Sequence, residues 1–237
     1  MPTLPAVKYF HRTLSDFRVV METPGEKRFP LRQFTDEAFL DGFIDGIKAD
    51  FKTGETRVAA SQLVKRLGYL LAVPALFTAT VHRHRLNTIE GALVPQNADG
   101  KWLPYLLLED METTPIDTEE FRAFSWELFI EIGKLVRVVS KAGNVPRPVL
   151  WENVAIYVYW LYEKRMAEEP VDSARKVADF RWLIDGLPGE AFGERKNPLQ
   201  KFHGEKPEGG IRIRQTCCFH YEGAGAGKYC GTCPKKK

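Results

Sequence analysis

The chain has 237 residues, of which 44% are hydrophobic and 27% are charged, and its formal net charge is +3. This composition is that of an ordinary globular protein, long enough to bury a full core without disulfide bonds. All four cysteines follow residue 216, whereas a secreted disulfide scaffold would spread them through the fold, so that class is excluded.

The sequence shows no segment that would direct the protein to a membrane or out of the cell. Residues 1–5 have neither the basic nor the apolar character of a secretory signal. The longest apolar stretch, Leu67 to Val81, contains Pro74 and is too short to span a bilayer. We therefore expect a soluble, cytoplasmic protein that does not insert stably into a membrane.

The first third of the chain predicts one strand and two helices. Phe17 to Glu22 has the pattern of a strand, and Pro24-Gly25 that of a turn. Thr35-Asp36-Glu37 predicts a helix start, because a capping side chain precedes an acidic first turn. A second helix, with apolar residues from Val58 to Leu71, is expected to end or kink before Pro74. The apolar face of the first helix consists of Phe39, Phe43, Ile44, Ile47 and Phe51.

The middle of the chain predicts strands followed by a long helix. Strands are expected between Thr78 and Glu109, with a turn at Asn97 to Gly100 and a buried strand from Leu103 to Leu108. Asp117 and Glu120 have the spacing of a capping box, which marks the start of an amphipathic helix. Its apolar stripe comprises Phe121, Phe124, Leu128, Ile132, Leu135, Val136 and Val139.

Two more helices complete the predicted body. One runs from about Leu150 to Ala167, and the last begins at Asp172 and ends at Gly186. The apolar residues assigned to the last helix are Val177, Phe180, Leu183 and Ile184. Five helices around one small antiparallel sheet define a helix-dominated α+β fold. We expect residues 1–188 to form this body, residues 189–210 a linker, and residues 211–237 a C-terminal four-cysteine segment.

The cysteine segment is the sequence feature with the clearest chemistry. Cys217 and Cys218 are adjacent, and eleven residues separate them from a Cys-x-x-Cys motif at Cys230 and Cys233. A glycine-rich loop between the pairs, Gly223 to Gly227, allows the chain to fold back sharply. Four thiolates so arranged are the ligand sets of structural zinc and of iron–sulfur clusters.

The cysteine pattern leaves several alternatives to weigh. A redox dithiol at Cys230 and Cys233 would leave the other two cysteines unexplained. Two disulfides would need an oxidising compartment, which nothing in the sequence indicates. Zinc sites prefer two Cys-x-x-Cys-like loops, which an adjacent Cys-Cys pair does not form. Spacing alone favours an iron–sulfur cluster over zinc only slightly.

Positive charge is concentrated around these cysteines. From Arg195 onward ten Lys and Arg stand against three Glu, a balance of +7, which leaves 3 − 7 = −4 for the rest of the chain. A basic segment of this kind contacts nucleic acid in some proteins. Here it lacks the interleaved aromatic pattern of such modules, so we expect no nucleic-acid partner and interpret the charge as compensation for an anionic metal centre.

The same segment resembles the signature of ferric-siderophore reductases of the FhuF-like type, which is Cys-Cys, about ten residues, and Cys-x-x-Cys-Pro. Arg214 occupies the position of an arginine that leads into this signature, and the gap of eleven residues is slightly longer than usual. A second stretch, Pro148-x-x-Trp151-Glu-Asn153, resembles a much less specific family segment ahead of a core helix. The residues that match the signature are Cys217, Cys218, Cys230, Cys233 and Pro234.

The resemblance implies that the four cysteines bind a [2Fe–2S] cluster. It implies a cytoplasmic reductase that converts Fe(III) in a siderophore, expected to be of the hydroxamate type, to Fe(II), with residues 1–188 binding or docking the chelate. The implied fold is related to the C-terminal domain of siderophore synthetases. Because the sequence shows no flavin or nicotinamide site, we expect a separate electron donor, such as a ferredoxin, a flavodoxin or a chemical reductant.

Four further residues are candidates for roles at this site. Arg212, Arg214 and Lys228 flank the cysteines and would bind an anionic chelate, although compensation of the cluster charge explains them equally well. His220 is a candidate for coupling proton uptake to reduction, or is simply a neighbour of the cluster. Two other functions stay open: a zinc-stapled module for nucleic-acid or protein binding, and a siderophore-binding protein without a redox role.

Overall fold

Helices dominate the fold in a computed structural model, which describes residues 10, 12–22, 27–98, 101–207, 210–223 and 227–236. The predicted turn at Pro24-Gly25 lies outside these residues. Within them, the helices with defined ends are α1 (Glu37–Asp50), α2 (Thr56–Phe77), α3 (Thr118–Gly143), α4 (Arg147–Glu163), α5 (Ser173–Arg181) and α6 (Pro198–Phe202). Residues 12–16 are also helical. Shorter 3₁₀ turns occur at Leu31–Thr35, Arg165–Glu168, Gly189–Phe192 and His220–Glu222.

Helix starts follow the capping side chains that the sequence predicts. Asp36 caps α1 by accepting a hydrogen bond from the Phe39 amide at 2.9 Å. At α3 the predicted capping box is complete: the Glu120 amide donates to Asp117 at 2.9 Å, and the Asp117 amide donates to Glu120 at 2.7 Å. The predicted α3 stripe is buried along its whole length. These predictions are confirmed. They can be made from sequence because the hydrogen bonds of a cap lie within the first turn of its own helix.

Helix α2 is the central element of the core and differs from its prediction. It does not end before Pro74 but continues to Phe77 and then through a π-helical turn at Thr78–His82. Nearly every residue from Val58 onward is buried against α1, α3 and α4. This packing holds the chain helical although Pro74 cannot donate a backbone hydrogen bond.

The combined helix Thr56–His82 is long and apolar enough to cross a membrane by composition alone. However, 78% of its most apolar window is buried inside the protein. A helix that is apolar on all sides is found either in a membrane or in a protein core. The burial of this helix identifies it as a core helix.

Within the described residues, the strands form three small sheets rather than the single sheet predicted. The larger sheet has the order β1-β7-β4-β2, in which β1 and β7 are parallel and the other pairs are antiparallel. Two antiparallel pairs, β3–β8 and β5–β6, stand apart from it. The strands are Val19–Val20, Phe29–Pro30, His84–Leu86, Ala92–Val94, Asn97–Ala98, Lys101–Trp102, Tyr105–Leu107 and Thr113–Pro115, for β1 to β8 in order.

The expected α+β, helix-dominated class is confirmed, with local differences. The predicted turn at Asn97 to Gly100 agrees with the pairing of Ala98 with Lys101, although Asp99 and Gly100 lie outside the described residues. The helix predicted from about Leu150 to Ala167 is shifted toward the N-terminus, because α4 runs from Arg147 to Glu163. The Val177 side chain of α5 was predicted to lie in the core, but it is 52% exposed.

Part of the segment predicted as a linker packs into the core. Phe192, Leu199 and Phe202 are all buried. The side chain of Asn197 caps α6 and donates to the carbonyl oxygens of Leu183 and Leu187, both at 2.8 Å. The segment between residues 189 and 202 is therefore fixed to the helical body, while the division of the chain into domains stays a prediction.

Helices α2 and α4 lie close together because a glycine stands where they meet. A Cβ atom on Gly68 would lie 2.8 Å from Cγ2 of Val154 and 3.2 Å from its Cα. No side chain fits in that space unless the helices separate. The close approach matters because these two helices support the cysteine segment.

We expect Gly68→Ala to lower the free energy of unfolding by about 1–3 kcal/mol, since the added methyl group overpacks the α2–α4 contact. The matched control is Gly46→Ala, in the interior of α1, where a Cβ meets nothing within 4 Å. That change should raise stability by about 0.5–1 kcal/mol through helix propensity. Urea denaturation followed by circular dichroism measures both, and equal effects of the two substitutions would contradict the packing argument.

Candidate metal centre

The lead-in to the first cysteine pair is held by one buried carboxylate of α4. Glu152 is 2% exposed and accepts hydrogen bonds from the backbone amides of Gln215 at 2.6 Å and Thr216 at 2.7 Å. The Thr216 hydroxyl donates to the same carboxylate. The guanidinium of Arg214, also buried, lies 3.5 Å away. A carboxylate in the interior needs such donors and a positive charge to offset the loss of hydration.

A second buried network holds the carbonyl group of Cys218 against α2. The Ser61 hydroxyl donates to this carbonyl oxygen at 3.0 Å, and the Gln62 side-chain amide donates at 2.8 Å. The Asn153 side chain on α4 donates to the Ser61 carbonyl oxygen at 2.9 Å. The two helices therefore fix Cys218 together, through groups that are all buried.

Backbone hydrogen bonds bring the second cysteine pair to the first. The Arg214 amide donates to the Thr232 carbonyl oxygen at 2.9 Å, which places the lead-in beside the Cys-x-x-Cys turn. That turn is closed by the Cys233 amide, which donates to the Cys230 carbonyl oxygen at 3.0 Å. The fold thus places the Cys-x-x-Cys turn beside the lead-in to the first cysteine pair.

The two ends of the loop between the pairs lie close together. The rings of Tyr221 and Tyr229, on either side of the loop, are 5.1 Å apart. Gly227 has φ +77°, a left-handed conformation that favours glycine, and its amide donates to the Tyr221 carbonyl oxygen at 3.3 Å. Residues 224–226 lie outside the described part of the chain.

All four thiols are free, and they interact with one another in pairs. Cys218 is paired with Cys230 through a side-chain hydrogen bond. Cys217 interacts electrostatically with Cys218 and Cys233. Within the described residues, no three Cys, His, Asp or Glu side chains already surround one point as metal ligands would.

Hydrogen-bond donors and positive charge surround the first pair. The amide of Phe219, which has a left-handed φ of +59°, donates to Sγ of Cys217 at 3.4 Å. The ammonium group of Lys65 on α2 lies 3.8 Å from Sγ of Cys218. The hydrogen bond with Cys230, then the charges of Lys65 and Arg214, lower the pKa of Cys218 to about 4 despite burial. The same hydrogen bond raises the pKa of Cys230, and burial raises that of Cys217.

These residues fit an anionic cluster held by four thiolates. The two terminal nitrogens of the Arg214 guanidinium are buried and have no hydrogen-bond partner among the described residues. Buried donors left unpaired are costly, and an anionic group beside Cys218 would pair with them. Backbone NH···S bonds and nearby positive charge are the features by which proteins tune iron–sulfur potentials.

The three predicted chelate-binding residues occupy different environments. Arg212 pairs with Glu163 at 2.5 Å and lies over the ring of Tyr159 at 5.0 Å. The Arg214 side chain is 0% exposed and faces Glu152 and the cysteine segment. Lys228 is exposed. The structure does not bring these three together, and their role in binding stays a prediction.

His220 lies beside the first cysteine pair and is half-buried. Burial, followed by the charge of Lys65, lowers its pKa, and its Nδ1 atom has no hydrogen-bond partner among the described residues. Its proposed part in proton coupling is likewise still a prediction.

Several residues that hold the site were not predicted from the sequence. Ser61, Gln62 and Lys65 lie within an apolar helix whose pattern indicates only core packing. Glu152 and Asn153 do fall in the Pro148–Asn153 stretch, but that resemblance assigned them no role. Their contacts with the cysteine segment explain why a Glu-Asn pair stands at the start of a buried helix, where polar side chains need partners.

Comparison with known families identifies the segment. Residues 214–235, which include all four cysteines, match the family model of the FhuF 2Fe-2S C-terminal domain. This match confirms the predicted FhuF-like resemblance and the predicted [2Fe–2S] cofactor. No curated protein matches the chain. The assignment of each cysteine as a ligand stays a prediction, which the geometry supports.

We expect Glu152→Gln to reduce cluster incorporation and to lower the free energy of unfolding by about 3 kcal/mol. The neutral amide would leave the Arg214 charge uncompensated. Its NH2 group would also face the NH donors that now bind the carboxylate. Iron and sulfide analysis and urea denaturation measure the two effects. The control is Glu131→Gln, which removes an exposed carboxylate paired with Lys134 at 2.6 Å. A normal cluster content and stability in Glu152→Gln would show that this carboxylate does not hold the segment.

Proposed function

We propose that this protein is a cytoplasmic reductase of ferric siderophores, expected to be of the hydroxamate type, from which it releases iron as Fe(II). The single observation that carries the proposal is the match of residues 214–235, with all four cysteines, to the FhuF 2Fe-2S C-terminal domain. The convergence of the cysteine pairs beside Lys65 and Arg214 supports it.

The proposed reaction is the transfer of one electron. When bound, a [2Fe–2S] cluster supplies a single electron, which would reduce chelated Fe(III) to Fe(II) and leave the cluster oxidised until a separate donor restored it. The electron transfer itself makes and breaks no covalent bond, so it needs no catalytic acid or base. Siderophores bind Fe(III) through hard oxygen ligands and hold Fe(II) far less tightly, so reduction would release the metal.

The chain's own residues would hold the cluster and set its charge environment. Lys65 and Arg214 would compensate part of its negative charge, which increases on reduction. Cations close to the sulfur atoms favour the reduced state and so raise the potential. Glu152, Ser61 and Gln62 would keep the first cysteine pair in place while the charge changes.

Protein purified without oxygen should contain two irons and two sulfides per chain, in keeping with the matched domain. After dithionite treatment it should give the electron paramagnetic resonance signal of a reduced [2Fe–2S] centre. Cys217→Ser should lose the normal visible absorption, because one thiolate ligand is removed. The control is Thr53→Ser, which introduces a serine far in sequence from the cysteines and should leave the absorption unchanged. A colourless protein with one zinc per chain would instead support the zinc-stapled binding module.

The reduced protein should convert a ferric trihydroxamate to Fe(II) in a single turnover, one iron per reduced cluster, because each cluster gives one electron. A ferrous-specific dye measures the product in the absence of oxygen. Cys217→Ser should yield none. An intact, reducible cluster that leaves the ferric complex unreduced would favour a siderophore-binding protein without a redox role.

A further inference from the structure

A groove of about 470 Å³ lies directly beside the cysteine segment. One wall is the outer face of α4, and the other is the lead-in between Gly210 and Arg214. This volume is within the range of ligand sites for small molecules. The apolar side chains that line it are Ile156, Tyr159, Trp160, Phe202, Ile211 and Ile213.

The groove reaches the cysteine segment at Thr232. Thr232 lies between Cys230 and Cys233 in sequence, and its carbonyl oxygen accepts the hydrogen bond from the Arg214 amide at 2.9 Å. Arg214 also lines the groove. A molecule bound there would contact the turn that carries two of the four cysteines.

The groove carries a net positive charge. Lys164, Lys206 and Arg212 line it together with Glu163, and the Arg214–Glu152 pair adds no net charge. Three cations and one carboxylate leave a balance of +2. Burial would raise the pKa of Glu163, but hydrogen bonds from His203, Arg212 and Lys206 lower it to about 2. Glu163 is therefore ionised at neutral pH and holds Arg212 in position across the groove.

Two isoleucines at the groove are unusually exposed. Ile211 is 62% exposed and Ile213 is 54% exposed, although both are large apolar side chains. A ligand that covers these apolar groups removes them from water, which favours binding.

The other large cavity has the opposite electrostatic character. It measures about 690 Å³, and none of its lining residues belongs to the cysteine segment. Five carboxylates line it with two cations, a balance of −3. These are Glu90, Glu109, Asp110, Glu112 and Glu131, with Arg32 and Lys134. Such a surface repels anions, so it is the weaker candidate for a chelate with anionic oxygen ligands.

We propose that the groove between α4 and residues 210–214 is the site of the ferric chelate, and that its positive charge selects complexes of net negative charge over matched cationic ones. This proposal rests on the proposed function, to which it adds a location and a charge preference. It follows from the apolar walls, the balance of +2 and the shared Thr232 turn.

The test is calorimetric titration of the oxidised, cluster-loaded protein with gallium(III) complexes, which are not reduced and so report binding alone. Two forms of one linear trihydroxamate are compared: one with a free terminal ammonium, and one with that amine succinylated. They differ by two charges at constant metal geometry. The succinylated complex should bind about tenfold more tightly, and the difference should shrink as salt is added.

Ile213→Asp should weaken binding of the succinylated complex by about tenfold, because it adds a negative charge and removes apolar contact. This variant should fold, since position 213 is exposed. The matched control is Val177→Asp on α5, where an equally exposed apolar residue lies outside the groove; it should bind like the unsubstituted protein.

Unchanged binding in Ile213→Asp, no measurable binding of either complex, or tighter binding of the cationic complex would overturn the proposal. These results are distinct from failure of the reductase function. Ferric reduction without binding at the groove would leave the function standing and move its site. Binding at the groove without ferric reduction would confirm the site and reject the function.

Discussion

The buried carboxylate of Glu152 is the interaction on which the rest of the site depends. It compensates the Arg214 charge and receives the backbone amides of Gln215 and Thr216, so the chain must approach the first cysteine pair along one path. Apart from a short 3₁₀ turn, the cysteine segment has no regular secondary structure within its described residues. Its order therefore comes from hydrogen bonds to rigid helices, since an irregular segment gains little order from its own backbone.

The positively charged side chains near the cysteines have different surroundings. The net charge of the C-terminal segment does not show this difference. Arg214 and Lys65 face the first cysteine pair, where the charge of a cluster would have to be compensated. Arg212 is turned away toward Glu163 and the groove. Because a charge inside the protein acts far more strongly than one in water, the buried Arg214 and the partly buried Lys65 matter more than the exposed lysines of the terminus.

What the sequence predicts well is local. The Asp117–Glu120 box and the Asp36 cap each act within one helix turn, and the cysteine spacing defines a ligand set within one short segment. What it misses depends on distant partners: Glu152 bonds to residues 63 and 64 positions away, and the helix through Pro74 is held by its neighbours. The parallel pairing of β1 with β7 joins strands separated by most of the first half of the chain, so local patterns carry no sign of it.

Helix α4 links the metal centre to the proposed chelate site through a single face. Glu152, Ile156, Tyr159 and Glu163 follow one another at intervals of four, three and four residues, so they lie along the same side of the helix. Glu152 holds the cysteine segment at one end of this face, and Glu163 fixes Arg212 at the other. At a rise of about 1.5 Å per residue the two carboxylates are about 16 Å apart along a rigid axis. One helix would then hold a bound chelate in a fixed position relative to the cysteines, which suits the transfer of an electron between them.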